Sequence, residues 1–91
     1  MSLVGMDVDV VKGIGKDLGT QAQAIQTSIN AINKLLDNAK QNWKGKDSDH
    51  FEQLWHGQYQ GQLRKIQSDI EDLGKAAIKN AGEQERTSNS Y

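Results

Sequence analysis

The sequence has neither cysteine nor proline among its 91 residues. Without cysteine the chain can form no disulfide, no thiolate metal site and no cysteine nucleophile. Proline interrupts a helix at a cost of about 3 kcal/mol, so its absence leaves the chain free to form long helices. The length suits one small domain, and chains of this size bury a modest fraction of their surface.

Charge of one sign is also lacking, because 11 Lys and Arg balance 12 Asp and Glu and leave a formal net charge of −1. A near-neutral chain offers no basic footprint to a phosphate backbone, so we expect no nucleic-acid partner. Long apolar runs are missing, and residues 1–7 show no basic segment followed by an apolar one. The sequence therefore predicts neither a transmembrane helix nor a Sec-type signal peptide.

Two apolar stripes dominate what is present. From Val11 to Trp43, and again from Phe51 to Ala81, apolar residues recur at gaps of only three or four, which is the spacing of one helix face. The first stripe also repeats every seven residues, which favours left-handed, coiled-coil-like packing. We predict one helix over residues 9–41 and a second over 48–82, joined by a turn at 42–47.

The predicted turn contains residues suited to ending one helix and starting the next. Gly45 can adopt the left-handed conformation that ends a helix. Asp47, Ser48 or Asp49 can cap the second helix, and Asp49 with Glu52 has the spacing of a capping box.

Seven glycines lie inside the predicted helices, and for five of them the sequence predicts a consequence. Gly13, Gly15 and Gly19 each cost up to about 1 kcal/mol relative to alanine, so we expect the start of the first helix to fray unless it is packed. Gly57 and Gly61 share one face at i and i+4, where another helix can approach closely.

The fold class predicted is all-α, an antiparallel helical hairpin over residues 9–82 with flexible segments at 1–8 and 83–91. A lone hairpin would leave roughly half of each stripe in water, and pairing two hairpins into a four-helix bundle removes that exposure. The expected dimer and bundle core is Leu18, Ile25, Ile29, Ile32, Leu36, Phe51, Trp55, Tyr59, Leu63, Ile66, Ile70 and Leu73.

Catalytic chemistry finds little support. His50 and His56 are six residues apart, about 240° around a helix, which excludes a two-histidine metal site of the i, i+4 type. Glu71 and Asp72 lie on the polar face of the second helix, where general acid–base work would require a pocket. We expect no enzyme, no metal and no cofactor.

The aromatic residues have two interpretations. Phe51, Trp55 and Tyr59 share one helical face and form either part of a bundle core or an exposed ligand platform. Trp43 stands at the end of the first stripe, two residues before Gly45, where a large ring is only partly enclosed. That position suits a role at the surface.

With Trp43 and Gly45 the turn reads W-x-G near the middle of a cysteine-free helical hairpin. This pattern resembles the WXG-100 family, the ESAT-6-like proteins of type VII secretion. The resemblance implies a small, non-enzymatic, secreted protein that pairs with itself or with a paralogous family member into a four-helix bundle. It also implies export in the folded state by a membrane ATPase without a cleavable signal peptide, with Trp43 and Gly45 in the recognition turn.

The export signal of that family has a second half, a Y-x-x-x-D/E motif on the other subunit. Matching the second stripe to the family pattern puts Glu85 near the tyrosine position and Asn89 near the acidic one, and neither Tyr59 nor Tyr91 supplies the motif. A partner subunit or a co-exported substrate is therefore expected to bring the tyrosine.

Two other functions stay open from the sequence. The hairpin can open and lay its apolar faces on a membrane, although interfacial helices usually have a basic polar face and this chain does not. It can also act as a chaperone-like partner that masks a helical segment of a larger secreted toxin.

Overall fold

The structure, a computed structural model, describes residues 6–89, with side chains through residue 86. Within that range the chain is helical apart from a short turn, and it contains no strand. The all-α, helical-hairpin class is confirmed, while pairing into a four-helix bundle stays a prediction. The elements are α1 (Val8–Asn42), α2 (Lys46–Leu54), a π-turn (Trp55–Tyr59) and α3 (Gln60–Asn89).

The start of α1 is fixed by a carboxylate cap. An oxygen of the Asp7 side chain accepts the backbone N–H of Val10 at 3.1 Å, and the Asp7 carbonyl accepts the N–H of Val11 at 2.9 Å. This is the N-cap geometry, in which a side chain satisfies an N–H of the first turn. The helix accordingly begins at Val8, where we predicted residue 9.

The turn between α1 and α2 is shorter than predicted. Gly45 has φ 131° and ψ −175°, a backbone conformation open essentially to glycine alone, and it is itself the N-cap of α2. The expected side-chain caps are wrong, because no side chain caps α2 and the Ser48 hydroxyl donates to the Gly45 carbonyl at 3.0 Å. Glu52 reaches Lys40 on α1, so it does not complete a capping box with Asp49.

The end of the second helical segment lies beyond its predicted end at residue 82. The helix α3 continues to Asn89, because residues 83–89 contain neither glycine nor proline to stop it. Glu85, inside this stretch, pairs with Lys12 of α1 at 2.9 Å. Part of the segment expected to be a flexible tail is thus helical, and residues 1–5, 90 and 91 lie outside the described range.

The described residues form two compact units, a terminal unit (residues 6–22 with 68–89) and a turn unit (residues 23–67). In the terminal unit α1 and α3 approach closely at a glycine pair. A Cβ atom built on Gly15 would lie 2.7 Å from the Gly74 carbonyl oxygen and 2.6 Å from Ile78, and one on Gly74 would lie 2.7 Å from the Gly15 carbonyl oxygen. Both glycines are buried.

The close approach was expected elsewhere, at Gly57 and Gly61. Among the described residues, nothing lies within 4 Å of a Cβ built at either of them. The start of α1 was expected to fray unless packed, and Gly15 is packed against α3, where the helix is regular.

In the turn unit α2 and the π-turn run back along α1. Ile29 of α1 is fully buried, and Trp55 of the π-turn is 6% exposed. These two side chains, from the two opposed segments, form the centre of this unit. The residues of the W-x-G turn belong to the same unit.

Candidate interaction surface

An open apolar groove with a volume of about 370 Å³ lies in the turn unit, and we refer to it below as the apolar groove. One wall comes from α1, and the other comes from α2 and the π-turn. Its lining side chains present no polar surface, which leaves hydrophobic contact as the means of binding there. The lining residues are Ile32, Leu36, Phe51, Leu54, Trp55 and Tyr59.

The wall formed by the π-turn is held in place through Trp55. Its indole N–H donates to the Asn33 side-chain oxygen on α1 at 2.8 Å, so the polar atom of a buried ring is satisfied. The apolar stripe predicted Trp55 in the core, but Asn33 was not predicted as its hydrogen-bond partner. The sequence offered only a weak signal for this contact, an asparagine one position after the stripe residue Ile32.

A charged contact holds the same wall from the other side. Lys40 Nζ and Glu52 Oε1 are 2.6 Å apart, joining the last turn of α1 to α2. This hydrogen bond, followed by Coulomb attraction to the same carboxylate, raises the pKa of Lys40 above its ordinary value of 10.5. His56 lies 3.9 Å from Glu52 and 3.0 Å from the Gln60 side-chain oxygen.

The turn residue Trp43 lies next to the groove. Its ring centroid is 6.0 Å from that of Phe51 with the planes inclined at 60°, a tilted aromatic pair. Trp43 is 44% exposed and Phe51 is 54% exposed, so both rings present a face to solvent. The structure thus brings the W-x-G tryptophan together with the aromatic stripe of the second half of the chain.

The predicted core residues separate into three groups by burial. Ile29 and Trp55 are buried. Another group is half-buried: Leu18, Ile25, Ile32, Leu36, Leu63 and Ile70. The remaining four, expected to be covered in a bundle, are exposed in the single chain: Phe51, Tyr59, Ile66 and Leu73.

The π-turn was not predicted, although the sequence carries a signal for it. Phe51, Trp55, Tyr59 and Leu63 are separated by three successive gaps of four residues. An α-helix has 3.6 residues per turn, so a stripe at this wider spacing drifts around the helix. A local π-turn, with more residues per turn, reduces the drift.

The residues that the structure describes contain no group of three His, Asp or Glu side chains able to hold a metal ion. Nor is any helix within residues 6–89 long and apolar enough to cross a bilayer.

The fold and its surface define a class of protein, small helical hairpins with a W-x-G turn and an open apolar face. The WXG100 family, described as proteins of 100 residues with WXG, matches residues 4–87, and the chain belongs to this family. It is a family of small secreted helical hairpins that are not known as enzymes. No curated protein and no solved structure matches the chain significantly.

Proposed function

We propose that this protein is a non-enzymatic pairing protein of a type VII secretion system, exported as a dimer. Two chains pair through the apolar groove of the turn unit, and the W-x-G turn beside it forms part of the surface that the export machinery recognises. The observation that carries the proposal is the small number of buried apolar side chains in the single chain.

Among the described residues the buried hydrophobic side chains are Ala22, Ile29, Trp55 and Ala81, and two of these are alanines. Nine large hydrophobic side chains are exposed: Val10, Ile14, Leu35, Trp43, Phe51, Tyr59, Ile66, Leu73 and Ile78. Burial of apolar area contributes about 25 cal/mol per Å², so a second apolar surface that covers these side chains is strongly favoured.

A second copy of this chain is the partner that we propose first, since an isologous pair supplies a matching apolar face by symmetry. Light scattering of the purified chain tests this directly. A dimer has twice the chain mass of 10.1 kDa, whereas a monomer at all concentrations refutes self-pairing and directs the search to a paralogous chain.

One substitution tests whether this apolar surface forms the interface of the dimer. Ile66 is 48% exposed and lies about two helical turns after the groove residue Tyr59, on the same face. Ile66→Lys therefore leaves the single chain's packing intact but puts an unpaired charge at the edge of the proposed interface. We expect Ile66→Lys to shift the light-scattering mass from dimer to monomer. Ser68→Lys, an added lysine at an exposed polar position about 200° around the same helix from Ile66, is the matched control and should stay dimeric.

A further inference from the structure

The gap pattern around the π-turn has a geometric consequence for the groove. In a continuous α-helix each gap of four residues overshoots a full turn by about 40°, so three gaps between Phe51 and Leu63 accumulate about 120°. In the structure the N–H of Gln60 bonds to the carbonyl of Trp55, the i to i+5 bond of a π-helix. At about 4.4 residues per turn, this segment brings Tyr59 back by about 33° and reduces the accumulated drift to about 47°.

Contacts on the upstream side of the π-turn hold this register. Glu52 is bound to Lys40 at 2.6 Å and Trp55 to Asn33 at 2.8 Å, so the upstream segment cannot rotate about its axis without losing both. On the downstream side Tyr59 lines the apolar groove. Closing the π-turn into an α-helix at constant length would restore the full drift of about 120° and so rotate one side against the other by about 73°.

Gly57, in the middle of the π-turn, has no packing reason to be glycine. A Cβ built on it meets nothing within 4 Å among the described residues, and its φ is not positive. Glycine lowers helix propensity by about 1 kcal/mol, which makes a departure from α geometry cheaper at this position.

We propose that the π-turn holds one residue more than the groove requires and thereby sets the register of its aromatic wall. Shortening the π-turn by one residue and lengthening it by one residue should therefore have different effects on the groove. Removing one residue from the π-turn closes it to regular α-helix and keeps both sides in place. Adding one residue rotates Tyr59 away from Phe51 and Trp55 and destroys the groove. For the role in pairing, the inference rests on the function proposed above.

The experiment compares deletion of Gly57 with insertion of one alanine after Gln58. The matched controls are deletion of Ala31 and insertion of an alanine after it, at an exposed position of α1 where the helix is regular. We expect the Gly57 deletion to keep its Tm within about 4 °C of the parent, which corresponds to less than about 1 kcal/mol. The alanine insertion and both α1 changes should lower Tm by more than about 10 °C.

A second readout reports the register itself. In a Trp43→Phe background the single indole N–H signal in NMR belongs to Trp55, and it should be kept in the Gly57 deletion and shifted in the insertion. Deletion of Gln58 should behave like deletion of Gly57, because either removes the surplus residue. A Gly57 deletion that is as damaging as the Ala31 deletion, in Tm and in the indole signal, overturns the inference.

Pairing is measured on the same variants by sedimentation. We expect a dimer dissociation constant within about threefold of the parent for the Gly57 deletion, and at least about tenfold weaker pairing for the insertion. A parent chain that stays monomeric refutes the pairing proposal, while the Tm and indole comparisons still test the register. A parent dimer with equal pairing in both π-turn variants refutes the role of the register in pairing.

Discussion

Gly15 and Gly74 set the distance between α1 and α3 in the terminal unit. Each glycine faces the carbonyl oxygen of the other at a distance where a Cβ atom would be only 2.7 Å away. Real Cβ atoms do not approach backbone oxygen that closely, so an alanine at either position must push the helices apart. The two glycines therefore allow the close approach of α1 and α3 because they have no Cβ atom.

Replacing Gly15 by alanine should destabilise the protein. Overpacking of this kind costs about 1–3 kcal/mol, and the gain in helix propensity of about 1 kcal/mol offsets only part of it. Gly13→Ala, two residues earlier with nothing within 4 Å of the new Cβ, should be neutral or stabilising. Urea unfolding at one protein concentration measures both, and equal effects of the two substitutions would contradict the close approach.

The two tryptophans allow a second comparison of single residues. Trp55→Phe removes the indole that donates to Asn33 at 2.8 Å and leaves the asparagine oxygen without this donor in a partly buried site. The expected cost is about 1–3 kcal/mol. Trp43→Phe, the same substitution at a ring that is 44% exposed, should cost less than about 1 kcal/mol. If the Asn33 contact does not form in solution, Trp55→Phe and Trp43→Phe should lower the free energy of unfolding by similar amounts, which denaturant unfolding measures.

At the scale of elements, periodicity predicted the helices well and their details poorly. The stripes located both helical segments, because a gap of three or four is a property of the chain alone. The positive φ of Gly45 shortened the turn, and the missing stop after Gly82 lengthened α3. The π-turn has a local signal in its gaps of four residues, but the contacts of Trp55 and Glu52 with α1 on its upstream side are not visible in the local sequence. Propensity and period are local signals, and these contacts are tertiary.

The contact between α1 and α2 predicts a dependence on alkaline pH. A raised Lys40 pKa means that the folded chain holds this proton more tightly than the unfolded chain. The contribution to stability is therefore fully present below the ordinary value of 10.5 and is lost as the pH rises through the raised value. Because the lysine is exposed, we expect the effect to be small.

Lys40→Met should remove that dependence. The difference in unfolding free energy between the parent and Lys40→Met should narrow between about pH 9 and pH 12. Lys40→Met in a Glu52→Gln background is the control: without the carboxylate that raises the Lys40 pKa, the difference should lose most of this dependence. A difference for Lys40→Met that is constant with pH would mean that the pair with Glu52 does not form.

At the scale of the whole molecule, burial within one chain did not follow from the stripes. Ile29 and Ile66 both belong to a stripe, yet one is fully buried and the other is 48% exposed. The spacing of apolar residues predicts which helix face is hydrophobic, but it does not predict whether the chain's own helices or a partner cover that face. The W-x-G turn could be located from sequence, whereas the groove beside it required the relative placement of α1 and α2.

Export in the source organism tests the role proposed for the turn. Trp43→Ala should leave the fold largely intact, because the ring is 44% exposed, and should strongly reduce the protein in the culture supernatant. Gln41→Ala, which removes an exposed polar side chain of α1 close to the turn, is the control and should not affect export. Immunoblots of supernatant and cell fractions report the ratio, and normal export of Trp43→Ala would contradict recognition through the turn.

The glutamate at position 85, where the family pattern places a tyrosine, leads to a gain-of-function prediction. In a strain without other WXG100 chains, we expect the parent to stay in the cells, because no partner supplies Y-x-x-x-D/E. Glu85→Tyr combined with Asn89→Asp writes the motif into this chain and should restore export. The cost in stability is small, since the Lys12 ion pair lost with Glu85 is exposed.

Glu85→Phe with Asn89→Asp is the control. It keeps the aromatic ring and the acidic residue but omits the hydroxyl, and it should not restore export. Full export of the parent from that strain would show that the missing motif is not required.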